Sequence, residues 1–346
     1  MSSTPSAPIV LEVPTDDDRV MWDILLYSNV LAAISAADEL GLFTVLAETP
    51  LTVEEAAERL NLGRDWAEVL LATLGAMKLA RVVDGRFQLT HAARAYMLPE
   101  SPYYRGFSLR SFVKSDPGER IKHSLSTTGN PNSGRYVVRE WKPGDLTLED
   151  AKRSTATMHG LSIAAAAGMA RNADFDGVTR LLDVGGGSGG FAIAISQRHP
   201  HIRCTVADLD VVCEVTREYI ERFGVADRVD TLTMNMFYEE FPRGYDAILF
   251  SLVLHDWGHE QREHLIHQAF KALPSGGKIY IHEMLMNDSG DGPVGPALYA
   301  LMMRIGTGGK QFTAPELRRD LQAVGFDEVS VQNTFGDFSV VIGSKP

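Results

Sequence analysis

From Thr179 to Glu283 five short apolar runs alternate with stretches of helical spacing: "TRLLDV", "IRCTVADLD", "VDTLTM", "YDAILFSL" and "GKIYIHE". Strands joined through helices run parallel, because each crossover needs a dozen or more residues. Near-continuous apolar runs place both faces of such a sheet against helices. The stretch "DEVSVQNTFGDFSVVIG" differs, since its two runs meet at a short Phe335-Gly336-Asp337 turn and must pair antiparallel. The runs predict an α/β fold, a doubly wound seven-stranded sheet closed by an antiparallel hairpin. Only three residues follow Gly343, so any substrate apparatus is expected before the first strand or between strands.

At 346 residues the chain has room for a second domain, and 45% hydrophobic with 23% charged residues is a globular balance. Apolar residues recur at helical spacing from Trp22 to Leu46, and Thr52 stands three residues before Glu55, a capping-box arrangement. "GRDWAEVLLATLGAMKLA" supplies a further helix, and "RVVDGRFQLT" reads as a hairpin around Asp84-Gly85. Helices followed by a hairpin make a winged helix. Glu54, Glu55, Glu58, Asp65 and Glu68 suit a DNA-reading surface badly, so the expected role is dimerisation, with an apolar first helix packed on a second copy. The reading divides the chain into a disordered tail (1–19), a winged-helix dimerisation domain (20–101), a helical connector contributing to a substrate pocket (102–170) and the sheet domain (171–346). The connector carries the turn signals "KSDPGER", "TTGNPNSG" and "KPGD" and the aromatics Tyr103, Phe107, Phe112 and Trp141.

With 33 basic against 45 acidic side chains, the net charge of −12 disfavours nucleic acid and anionic membranes as partners. The N-terminus lacks a signal peptide's pattern, and no run of about 18 apolar residues follows, so a cytoplasmic protein without a membrane span is expected. Cys204 and Cys213 show neither metal-ligand nor disulfide spacing, which fits a reducing compartment. His259 and His264 are five apart where a metalloprotease helix needs four, and His264 with His267 lacks a third ligand, so no metal is expected.

The loop after the first of the five strands holds five glycines and one serine, Gly185 to Gly190. Gly185, Gly187 and Gly190 fit G-x-G-x-x-G, the dinucleotide fingerprint, while Asp183-Val184-Gly185-x-Gly187-x-Gly189 equally fits a loop holding S-adenosylmethionine. A tight structural turn is the third reading. Asp208 lies 23 residues after Gly185, where an acidic side chain accepts ribose hydroxyls of either ligand. In "MNMFYEEFP", Asn235 and Met236 suit the edge and face of an adenine. "SLVLHDWGHE" delivers His255, Asp256 and Trp257 to the carboxyl edge of the sheet, a place for a base. Glu283 ends the next strand, placed to accept the other imidazole N–H and fix its tautomer, whereas His282 alternates to the opposite face.

With "DVGGGSGG", and "LHDW" followed by Glu283 28 residues after His255, the chain resembles the small-molecule O-methyltransferases that join a winged-helix dimerisation domain to a class I, Rossmann-like S-adenosylmethionine-binding fold. Plant caffeate-type enzymes and bacterial natural-product tailoring enzymes belong to that group. The resemblance implies a cytoplasmic homodimer moving a methyl group from S-adenosyl-L-methionine, with S-adenosyl-L-homocysteine as product, to a hydroxyl of an aromatic small molecule. It implies cofactor contact by Asp183, Gly185, Gly187, Asp208, Asn235, Met236, Phe237 and Ser251, a general base at His255 and an orienting carboxylate at Glu283. A substrate wall would draw on Met158, Asp256, Met302, Met303 and Gln311.

Three positions depart from the family pattern: Asn235 stands where Asp is usual, Ser251 where Lys is frequent, and Gln311 where a second glutamate flanks the base. The last is expected to weaken support for an imidazolium. The acceptor atom stays open, because some relatives methylate carbon or nitrogen. A nicotinamide-dependent oxidoreductase is disfavoured by the terminal hairpin and "LHDW", and a winged-helix regulator by its acidic helices.

Overall fold

The computed structural model describes residues 19–113, 121 and 146–346. The expected disordered tail, apart from Arg19, lies outside the described residues, as do Trp141 and the three turn signals of the connector. The chain divides into two compact units, Met1–Leu98 and Pro99–Pro346.

The first unit runs α1 (Arg19–Tyr27), α2 (Val30–Glu39), α3 (Leu42–Glu48), α4 (Val53–Leu60), α5 (Arg64–Ala76), β1 (Ala80–Val83), β2 (Arg86–Leu89) and α6 (His91–Met97). Thr52 starts α4 as expected: its hydroxyl accepts the Glu55 amide (3.2 Å) while the Glu55 carboxylate accepts the Thr52 amide (2.9 Å). Such a cap contributes about 1 kcal/mol. Between β1 and β2, Asp84 and Gly85 both take left-handed backbone angles (φ 50° and 72°), the hairpin turn whose twist matches the strands it joins. Leu42, Phe43, Leu46, Leu71 and Leu74 form the core of this unit.

Helix α1 buries nothing. Val20, Met21, Trp22, Ile24, Leu25, Leu26 and Tyr27 are each 55–62% exposed, an apolar helix left largely open to solvent. The segment Arg19–Glu39 is 21 residues long and contains an 18-residue window of mean hydropathy 1.5, long and apolar enough by composition to cross a membrane, although Asp23 interrupts its apolar run. It breaks after Tyr27, and α2 packs on α3 and α5 as a domain helix does.

The second unit runs α7 (Gly106–Val113), α8 (Leu148–Asn172), β3 (Arg180–Val184), α9 (Gly190–Arg198), β4 (Arg203–Asp208), α10 (Asp210–Arg222), β5 (Val229–Thr233), β6 (Ala247–Ser251), α11 (His259–Ala272), β7 (Lys278–Met284), α12 (Val294–Gly306), α13 (Ala314–Val324), β8 (Asp327–Phe335) and β9 (Phe338–Ser344). The strand order is β5-β4-β3-β6-β7-β9-β8. β3 to β7 are parallel, and β9 lies antiparallel between β7 and β8. Alternation along the strands sorts residues by face: Leu182, Ile248, Phe250 and Ile281 join a core with Leu265, Ile266, Leu317 and Leu321 of α11 and α13. Leu181, Leu249, Tyr280 and Ile342 join the opposite core, with Ala165 and Met169 of α8 and Ile193 and Ile195 of α9. Helix α8, read from sequence as connector, is thus built into the sheet domain.

The chain winds outward from β3 through β4 to β5 and returns to β6 on the other side of β3. Ligands bind open α/β sheets in the crevice beyond such a reversal.

The bare apolar helix yields the first prediction. Sedimentation velocity at micromolar concentration should show a dimer that persists at high salt, and Leu25→Glu should shift it to monomer; a monomeric wild-type chain would refute the role of α1.

Candidate active site

The loop leaving β3 needs glycine first at Gly185. Its φ is +69°, and a Cβ there would come within 3.1 Å of Val253 Cγ2 in the segment leaving β6. Asp183 lies wholly buried beneath the loop, so close that a Cβ on Gly186 would sit 2.7 Å from its Oδ2. Neither Asp183 oxygen has a hydrogen-bond partner among the described residues. Burial and the Asp208 carboxylate push its pKa up to about 7, opposed by the Ala192 amide, which lies outside hydrogen-bonding geometry.

Asp208, ending β4, accepts the Gly187 amide on one oxygen (2.9 Å) and the Leu209 amide on the other (2.8 Å). Burial raises its pKa and those two amides lower it, with burial prevailing. The Thr216 hydroxyl of α10 donates to the Gly187 carbonyl (2.6 Å), and His159 Nδ1 of α8 lies 2.8 Å from Ser188 Oγ. After β5, the Asn235 side-chain oxygen accepts the Phe237 amide (3.0 Å), closing a turn. Phe237 meets Trp257 edge to face at 4.4 Å, which joins that turn to the segment carrying His255.

Ser251 ends β6, buried and in register with His282 of β7. Leu252 then bends the chain at φ 56°, a left-handed conformation that costs a bulky side chain on the order of 1–3 kcal/mol. One 3₁₀ turn, Leu254–Asp256, follows. His255 is 3% exposed, and its Nδ1 lies 2.6 Å from Oε2 of the fully buried Glu283. Its backbone amide donates to Glu283 Oε1 (3.3 Å) and its carbonyl accepts the Lys310 amide (2.9 Å). A carboxylate on Nδ1 holds the ring proton there and leaves Nε2 as the basic nitrogen.

A second carboxylate stands near this pair: Asp256 Oδ1 lies 3.6 Å from His255 Nε2. Burial lowers the imidazole pKa, but Glu283 and Asp256 together outweigh it and raise the pKa to about 9. Tyr299 of α12 stands perpendicular to the ring at 5.5 Å. Met302 and Met303, three and four residues further along α12, share that helix face and are half-buried. Met158 stands exposed on α8. Gln311 is 3% exposed with neither amide atom partnered, between Lys310 on the His255 carbonyl and Phe312, whose carbonyl accepts the Met286 amide (2.8 Å). At Gly309 a Cβ would collide with the His255 carbonyl oxygen, so this close approach requires glycine.

Of the two carboxylates at the glycine loop, Asp208 is partly exposed and accepts the Gly187 amide, while Asp183 is fully buried. A carboxylate at the end of this strand suits ribose hydroxyls. Residues 145–327 match the O-methyltransferase domain model and residues 22–99 the O-methyltransferase dimerisation domain model. The chain is 34% identical to a 3-hydroxy-5-methyl-1-naphthoate 3-O-methyltransferase of Streptomyces sahachiroi, across 86% of each protein. It belongs to the O-methyltransferase family. It is also 30% identical to an L-tyrosine C(3)-methyltransferase of Streptomyces lavendulae, over 93% of this chain and 90% of that one. The crystal structure of the S-adenosylmethionine-dependent methyltransferase SibL in its apo form superposes with a TM-score of 0.77 at 27% identity, over 95% of this chain and all of SibL. Membership makes the chain an S-adenosylmethionine-dependent methyltransferase and selects that ligand over a nicotinamide dinucleotide.

For this O-methyltransferase the sequence missed the side chains that hold the loop, Thr216 and His159, and the ring of Tyr299 beside His255. Each joins the site across tertiary distance, without a motif of its own. The pairing His255–Glu283 was legible because adjacent parallel strands end at one edge.

Asp208 anchors the loop through the Gly187 amide. Asp208→Ala should weaken S-adenosylhomocysteine by about 1–3 kcal/mol, measured calorimetrically, with an unchanged circular dichroism spectrum. An unaltered dissociation constant would remove Asp208 from the site.

Proposed function

We propose that this O-methyltransferase methylates a hydroxyl of an aromatic small molecule in secondary metabolism, with His255 as general base. The observation that carries the proposal is the buried His255–Glu283 pair, whose 2.6 Å contact at Nδ1 leaves Nε2 as the free base. S-adenosylmethionine supplies a methyl group carried on a cationic sulfur. Asp183, Gly185, Gly187 and Asp208 would hold it at the loop, Asn235, Met236 and Phe237 beside β5, and Ser251 at the end of β6. The half-buried Met302 and Met303 offer an adaptable wall to a flat ring. Met158, Asp256 and Gln311 complete the proposed substrate set. The two buried free cysteines support a reducing, cytoplasmic setting, and the dimerisation domain supports a homodimer.

A phenol has a pKa near 10, and an ordinary imidazole lies some 3–4 units lower. Raising the His255 pKa to about 9 narrows that gap. His255 Nε2 takes the hydroxyl proton as the acceptor oxygen becomes nucleophilic, and Glu283 stabilises the imidazolium through Nδ1–H. Carbon methylation by the Streptomyces lavendulae relative supports a second reading, in which the same base ionises a phenol and its ring carbon accepts the methyl group. Incubating hydroxylated aromatic acids and phenols with S-adenosylmethionine, then locating the added methyl by NMR, separates the two readings. No methylated product from any hydroxyarene would overturn the proposal.

Only the neutral imidazole accepts a proton, so kcat/KM should rise with pH and level off above about 9. Glu283→Gln removes the largest influence raising that pKa, so the rising limb should move to lower pH while the plateau falls. His255→Ala should lower kcat by ~10²–10⁴-fold with little change in cofactor affinity. Near-normal turnover would mean that positioning alone carries the reaction.

A further inference from the structure

We infer that His159 is a positioning residue that, through Ser188, holds the glycine loop in its cofactor-binding shape. The inference rests on the proposed role of that loop. His159 lies in the interior of α8, and its Nδ1 is 2.8 Å from Ser188 Oγ, the one side-chain hydroxyl among the five glycines. The imidazole is 9% exposed and packed against Tyr219 (4.5 Å between ring centres) and Phe223 (5.7 Å) of the α10 region. Burial, with Arg222 nearby, drives its pKa down to about 4, so the ring is neutral at physiological pH and serves as a hydrogen-bonding group.

Packing alone gives no reason for a histidine here. A leucine or phenylalanine would fill the space between Tyr219 and Phe223 without the cost of taking an imidazole out of water. What the imidazole adds is a polar atom aimed at the loop. Glycines lose more conformational freedom on ordering than any other residue, and Gly185, Gly187 and Gly189 all sit at positive φ. Among the described residues the Ala207 carbonyl takes the Gly185 amide, and three side chains hold the loop: Asp208 on the Gly187 amide, Thr216 on the Gly187 carbonyl, and His159 on Ser188. Asp208 and Thr216 act at one residue, so His159 is the clamp that governs the next. A loop ordered in advance spares the ligand that ordering cost, which appears as affinity.

Calorimetry with S-adenosylhomocysteine on the full chain tests this directly. His159→Leu and Ser188→Ala should each raise the dissociation constant roughly 5- to 30-fold, the effect of losing one buried hydrogen bond. The double variant should be no weaker than either alone, because both remove the same bond. His159→Asn, whose amide can occupy the place of Nδ1, should recover most of the affinity. At saturating cofactor, kcat should stay within about twofold of wild type, so the effect appears in KM for S-adenosylmethionine. Should His159→Leu fail to fold, Ser188→Ala carries the test, since it removes a single oxygen. Variants that lose thermal stability but bind with wild-type affinity would overturn the inference, as would additive effects in the double variant. A wild-type chain that does not bind S-adenosylhomocysteine would overturn the cofactor reading, and this inference with it.

Discussion

β3 is hydrogen-bonded in parallel to β4 on one side and to β6 on the other, and the site depends on that double pairing. The registers set Asp183 beside Val206 and beside Leu249, so all three strands end at one level. The glycine loop, Asp208 and the segment leading to His255 consequently emerge around a single crevice. Val253 against Gly185 closes the contact between its two sides. A one-residue slip of β6 would exchange its side chains between the two cores and displace His255 from the end of β3.

Charge at the site is arranged by burial. His255, Glu283 and Asp183 are nearly or wholly out of water, where an isolated charge is costly. The imidazole and Glu283 meet that cost by pairing, and Asp256 adds a second negative group on the far nitrogen. Asp183 has no such partner, and burial moves it towards its neutral form. His282, one residue before Glu283, shows the contrast. It faces Phe191 and Phe338, bonds Thr334 through Nε2, and burial alone drives its pKa down to about 3. Neighbouring positions on one strand thus hold a histidine packed between aromatic rings and a carboxylate paired with His255, because alternate residues see different surroundings.

Period and spacing made the sheet, the winged-helix region, the glycine loop and the His255–Glu283 pairing legible in the sequence. Each follows from local pattern or from strands that end at a common edge. Helix α8 was placed in a connector because nothing in its sequence states what it packs against; only the folded sheet puts His159 beside Ser188. Gln311 was legible as a departure from a family pattern, but the lack of partners at its amide is a property of the assembled core. The Asp256 carboxylate likewise depends on a 3₁₀ turn too short to leave a periodic signal.

The insertion of β9 between β7 and β8 also bears on how the chain is made. β7 spans residues 278–284 and its outer neighbour spans 338–344, so more than fifty residues separate them. As the polypeptide emerges from the ribosome, β7 holds an unpaired apolar edge until β9 has followed it out. Such an edge is a template for strands of other molecules. The nascent sheet is therefore most open to misassociation between the emergence of β7 and that of β9.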